Sequence, residues 1–159
     1  MIRHLLMSSA LILASTVTFA TKAYAEDAGA SGTVTGNCTF YNAVPGELIL
    51  NSGGTILQSE NGGTPASVLI DCNNAATLTI SKPEQTDGTT KFLDPQQLTA
   101  TATSTNLPNN INVSSDGSTG TIPADTQEGK IIVNMKADNG SNKISAGKYS
   151  FTVTLTASP

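Results

Sequence analysis

The chain has 159 residues, with eight Lys and Arg against twelve Asp and Glu, one His, two Cys and no Trp, which is the size of a single domain. Arg3, His4 and Lys22 all lie in the first 22 residues, so the remainder carries six Lys, twelve acids, no Arg and no His, a formal charge of −6. Without an imidazole there is no histidine base, no histidine metal ligand and no Ser-His-Asp triad; without Arg, an acidic surface disfavours nucleic acid or an anionic membrane as a partner.

Taken in chain order, residues 1–25 read as a signal peptide. Arg3 and His4 give a positive start, Leu5 to Ala20 an apolar stretch, and Ala23-Tyr24-Ala25 a small-x-small cleavage pattern. The run is short, rich in Ser and Thr, and followed by polar sequence, which argues against a first membrane span and against membrane insertion once the signal is gone. Residues 26–159 are then a single exported domain, destined for the periplasm, the cell surface or the medium.

Cys38 and Cys72 are the only cysteines, and an even count in a chain bound for an oxidising compartment predicts one disulfide. Such a bond would close a 35-residue loop, for which the chain-entropy model gives at most about 4 kcal/mol. A metal role is disfavoured, because two Cys without CxxC spacing and without His make a poor site. The staple matters here because the exported part has only five aromatic residues, Phe40, Tyr41, Phe92, Tyr149 and Phe151. The core must therefore be built mostly from Val, Ile and Leu.

The segment from Gly32 to Asn42 (GTVTGNCTFYN) carries β-branched residues on both sides of Gly36 and predicts a strand with a bend or bulge there. Short apolar pieces follow at Glu47 to Asn51 and Gly54 to Leu57, separated by the turn cluster Asn51-Ser52-Gly53. After Asn61-Gly62-Gly63-Thr64-Pro65 come two alternating runs, Ala66 to Cys72 and Ala76 to Ser81. Only Asn73-Asn74-Ala75 lies between them, which predicts a hairpin. Lys82 to Asp94, with Pro83 and Asp87-Gly88, reads as a long loop anchored by Phe92 and Leu93.

Gln97 to Ser104 and Ile111 to Ser114 predict further strands, and Asp116-Gly117, Gly120 and Pro123 mark turns beyond them. Lys130 to Ala137 places Ile131, Val133 and Met135 on one face. The final strand alternates Tyr149, Phe151, Val153 and Leu155, the expected core residues, with Ser150, Thr152, Thr154 and Thr156. No stretch has a 3.6-residue period. About eight short strands with turn signals between them, in a chain this size, predict an all-β antiparallel β-sandwich with one disulfide.

Three pieces carry a family resemblance: GTVTGNCTF with Cys38, ASVLIDCNNAATLTIS with Cys72, and SAGKYSFTVTLTA from Ser145 to Ala157. Together they resemble the pilin-type secreted immunoglobulin-like domains, which include chaperone/usher fimbrial subunits and the spore coat protein U group. The resemblance implies an immunoglobulin-like sandwich acting as a non-enzymatic structural or adhesive subunit of a surface fibre or coat. It implies as partners identical or related subunits by strand exchange, and a periplasmic chaperone. In such subunits the missing strand of an incomplete sandwich comes from the N-terminal extension of the next subunit. Here the stretch ahead of Cys38 has only Ala28, Ala30, Gly32 and Val34 at alternating positions, and the last residues, Ala157-Ser158-Pro159, lack the Tyr usual near the fimbrial C-terminus.

A second reading stays open: a monomeric secreted binding module that holds a glycan or protein through its loops, chiefly Lys82 to Asp94. A hydrolase using two carboxylates is disfavoured, since nothing selects a pair among the scattered acids. The Asp87-Gly88, Asp116-Gly117 and Asp138-Asn139-Gly140 sequences lack the spacing of a calcium loop and read as tight turns. No catalytic residue, metal or cofactor is expected.

Overall fold

The computed structural model describes residues 34–92 and 97–159. The signal segment 1–25, the stretch 26–33 and the expected anchor Leu93 lie outside the described residues.

Twelve strands are seen among the described residues: β1 Cys38–Val44, β2 Ile49–Leu50, β3 Ile56–Gln58, β4 Ala66–Cys72, β5 Ala76–Ile80, β6 Glu84–Asp87, β7 Leu98–Thr103, β8 Asn112–Ser114, β9 Gly120–Ile122, β10 Thr126–Asp138, β11 Ser150–Thr152 and β12 Leu155–Ser158. All pairings are antiparallel. The fold is an all-β, sandwich-like arrangement of antiparallel sheets with one disulfide.

β10 organises the larger sheet. Residues 126–133 pair with β4, and residues 136–138 pair further along with β3. Residues 132–137 pair with β7 on the opposite edge. β1 continues the sheet beyond β4, β2 beyond β3 and β8 beyond β7. The alternation read from KIIVNMKA holds: Ile131, Val133, Met135 and Ala137 are buried, with more exposed residues between them. On β7 the inward residues are Leu98, Ala100 and Ala102.

The facing layer is β9-β5-β12, prolonged by the two-stranded ladder β6-β11. Two expectations are corrected here. The runs 66–72 and 76–80 do not form a hairpin, because β4 pairs with β1 and β10 while β5 pairs with β12 and β9. Asn73-Asn74-Ala75 instead carries the chain from one sheet to the other. Ile70 and Cys72 then face Leu78 and Ile80 across a shared core instead of lying beside them. The segment 82–94 is not a long loop throughout, since Glu84–Asp87 is β6, paired with β11.

The break between β5 and β6, and between β11 and β12, has a local cause. Pro83 brings no N–H to the ladder. At Ser81 a side chain replaces a backbone acceptor: Thr154 N–H donates to Ser81 Oγ at 2.9 Å, while Ser81 N–H donates to the Thr154 carbonyl at 2.9 Å. The bend expected at Gly36 is also displaced. β1 begins only at Cys38, and its register slips between Tyr41 and Val44, where Asn42 takes a positive φ of 51°.

Buried apolar residues form two clusters. The larger joins the two sheets through Ile70, Ile131, Val113, Leu78 and Ile122, all fully buried. The smaller holds Leu57, Phe92, Leu98, Met135, Ala137 and Ile144.

Candidate functional site

Cys38 and Cys72 face each other as directly paired residues of β1 and β4, with Cα atoms 4.2 Å apart, and are joined by the disulfide. The bond fastens β1 to its only partner strand among the described residues. Its other edge pairs with nothing described, and the same holds for the outer edges of β11 and β12.

Between these edges runs a groove of about 1020 Å³. Phe40 and Val68 line the β1 side, Val133 and Met135 are among its lining residues from β10, and Phe151 and Leu155 come from the C-terminal strands. Glu47, Lys148 and Val44, the last of them 56% exposed, also line it. The four residues expected as core, Tyr149, Phe151, Val153 and Leu155, are all half-buried and all border this groove. Their alternation with exposed Thr152, Thr154 and Thr156 is intact, so they face inward. Val153 and Leu155 pack on the larger cluster, Tyr149 and Phe151 on the smaller one. The groove is thus the uncovered flank of both clusters, where apolar side chains stop half a layer short of closure.

At the end near Cys38 the chain is clasped by asparagine. Asn37 N–H donates to Asn73 Oδ1 at 2.7 Å, Asn73 N–H donates to the Asn37 carbonyl at 3.1 Å, and Asn73 Nδ2 donates to the Thr35 carbonyl at 3.0 Å. A polar hollow of about 290 Å³ lies here, lined in part by Asn37, Asp71, Asn73 and Asp125. Its central carboxylate is engaged: Asp71 Oδ1 accepts from Tyr41 Oη at 2.9 Å and from Glu128 N–H at 2.7 Å, beside the β10 bulge where Glu128 has a φ of 51°.

At the other end Tyr149 is a hub. Its phenol donates to the Ser145 carbonyl at 2.7 Å and accepts from Thr90 N–H at 3.1 Å, with the Thr89 and Thr90 hydroxyls each 3.0 Å away. Gln85 Nε2 donates to the Thr90 carbonyl at 2.8 Å, and Phe92 N–H donates to Gln85 Oε1 at 3.2 Å. Phe92, 7% exposed, packs edge-on against Tyr149. A Cβ on Gly88 would collide with the Tyr149 ring, and its φ of 138° suits only glycine. The segment expected from its composition to present loop groups is therefore engaged in holding its own shape.

The carboxylates of the Asx-Gly sequences serve their turns. Gly88 N–H donates to Asp87 Oδ1 at 2.8 Å, Ser118 N–H to Asp116 Oδ1 at 3.3 Å and Gly140 N–H to Asp138 Oδ1 at 2.9 Å. The last also pairs with Lys136 Nζ at 3.1 Å, and that hydrogen bond, aided by the Gly140 N–H, holds its carboxyl below the ordinary value.

Among the described residues the phenols of Tyr41 and Tyr149 are displaced in opposite directions. Desolvation, the hydrogen bond to Asp71 and the Asp71 and Glu128 charges push Tyr41 above the ordinary phenol value. For Tyr149 desolvation opposes ionisation, but the hydrogen bonds from Thr89 and Thr90 together outweigh it and bring the phenol below that value. An ultraviolet titration of residues 26–159, which exclude Tyr24, is expected to show two steps straddling about pH 10. Tyr41→Phe should remove the upper step and Tyr149→Phe the lower. Stability from Tyr41 is present below pH 10 and lost as pH rises through its higher folded value, whereas Tyr149 ionisation favours the fold over its own interval. A single unshifted step would refute both assignments.

No protein-family model, curated protein or solved structure matches the chain.

Proposed function

We propose that the protein is a non-enzymatic structural or adhesive subunit of a surface fibre or coat, and that the groove between β1 and β11–β12 takes an extended strand from a second chain. The observation that carries this reading is the groove itself: an apolar channel of about 1020 Å³ whose two long sides are strand edges without a described partner. An added strand would meet backbone donors and acceptors along its edges and half-buried side chains along its floor, the two requirements of strand addition. Left open, such edges promote uncontrolled association.

Two further features support an immunoglobulin-like subunit. The order β1-β4-β10-β7 in one sheet, with the C-terminal strands beside β5 and β6 in the other, leaves the last strand at an edge. The Tyr149 phenol, on the residue just before β11, bonds back to the carbonyl of Ser145 four residues upstream, in the manner of the tyrosine corner of immunoglobulin-like sandwiches. The disulfide agrees with an exported protein, and among the described residues no helix is long and apolar enough to cross a membrane.

The test is a denaturing gel of the protein taken from its own cell envelope, with and without boiling. Strand addition is expected to give a ladder, or a stable complex, that collapses to one band only on boiling. A monomer in both lanes, confirmed as monomeric by light scattering before denaturation, refutes the reading and favours the monomeric binding module.

A further inference from the structure

The proposed function leaves open whose strand fills the groove. Resting on that reading, we infer that the occupant is a strand of different sequence, presenting large aliphatic or aromatic side chains at alternate positions, and not residues 26–34 of a second copy of this chain.

Length does not decide the matter. The inward positions of the C-terminal wall run from Tyr149 to Ala157, eight steps of about 3.4 Å, or about 27 Å. Residues 26–34 are the nine residues before Thr35, so in extended form they cover the same span.

Side-chain size does decide it. A strand sends every second side chain to one face, so residues 26–34 can turn only two sets of side chains into the groove, whichever direction the strand runs. The even set after Glu26 is Ala28, Ala30, Gly32 and Val34, with one side chain larger than a methyl group. The odd set is Asp27, Gly29, Ser31 and Thr33, which is polar and begins with a carboxylate. Neither set fills a groove of about 1020 Å³ walled by Phe40, Val68, Met135, Phe151, Val153 and Leu155. Voids left there forfeit the contacts that would hold the strand. The residues of the C-terminal wall are also half-buried, so their remaining apolar surface is covered only by side chains of their own size.

The charges agree. Glu26 and Asp27 adjoin the short apolar run and would have to be carried to one end of the groove, whose lining includes the single cation Lys148 alongside Glu47. One charge of each sign offers no net attraction for an acidic pair. A second copy therefore gains little from inserting its own segment, and the protein should meet itself less readily than a partner with a bulkier strand.

Two peptides test this against the protein. One has the native sequence of residues 26–37; the other carries Ala28→Leu, Ala30→Ile and Gly32→Val. Each large side chain buried contributes on the order of a tenfold gain, so the substituted peptide should bind at least about 100-fold more tightly, and it alone should raise the melting temperature. Val153→Asp, which sets a carboxylate in the wall, should abolish that gain, read against the variant's own lower melting temperature without peptide. Equal binding of both peptides would overturn the inference and identify a second copy as the occupant, leaving the strand-addition reading in place. Binding of neither peptide would overturn the strand-addition reading itself, and the inference with it.

Discussion

Replacing both cysteines by alanine is expected to lower the unfolding free energy of the protein by up to about 4 kcal/mol, measured by urea denaturation. The chain-entropy cost of freeing a 35-residue loop sets this scale. The structure adds where the damage falls. Cys38 opens β1, and Cys72 closes β4 with 3% of its surface exposed. β1 is held on one side by β4 and on the other borders the groove, so without the bond its first residues depend on backbone pairing and the Asn37–Asn73 clasp. Loss of the staple should therefore also weaken strand binding, because one wall of the groove is released. Wild-type protein treated with a reductant should melt like the double variant; identical melts of oxidised and reduced wild type would show that the bond contributes nothing.

The second large effect separates core from groove. Leu78→Ala should cost about 3 kcal/mol, since its side chain is fully buried between the sheets and nothing can collapse into the space. Leu155→Ala, an identical change on the neighbouring strand β12, should cost only about 1 kcal/mol in the isolated chain, because Leu155 is only half-buried in the groove. Once a strand fills the groove, the Leu155→Ala cost should rise towards that of Leu78→Ala, as the same side chain becomes core. Denaturation of the two variants with and without bound peptide measures this. Equal costs in the isolated protein would mean that the groove is already closed in solution.

The features behind these contrasts were unequally legible in the sequence. The period-2 alternation of Phe151, Val153 and Leu155 was legible, because a pleated strand sends alternate side chains to opposite sides whatever its neighbours. It gave no hint that this face would be only half covered. That depends on whether another strand lies beside β12, a property of distant chain segments. The same limit explains the mistaken hairpin at Asn73-Asn74-Ala75. A three-residue polar link serves a hairpin and a crossing between sheets equally well, and the choice was made by pairing partners far away, β10 for β4 and β12 for β5. β6 went unrecognised because Glu84, Gln85, Thr86 and Asp87 show no apolar alternation. Its pairing with β11 is supported by the clamp of Gln85 and Tyr149 around Thr90, which joins residues 59 apart in sequence.

By itself the sequence determined the all-β class and the cysteine pair, because composition, count and period are local quantities. Only the tertiary structure decided which strands lie side by side and which edges stay open, because those depend on hydrogen-bond partners tens of residues apart. The groove exists in that long-range pairing alone: the apolar residues lining it look, one strand at a time, like ordinary members of a core.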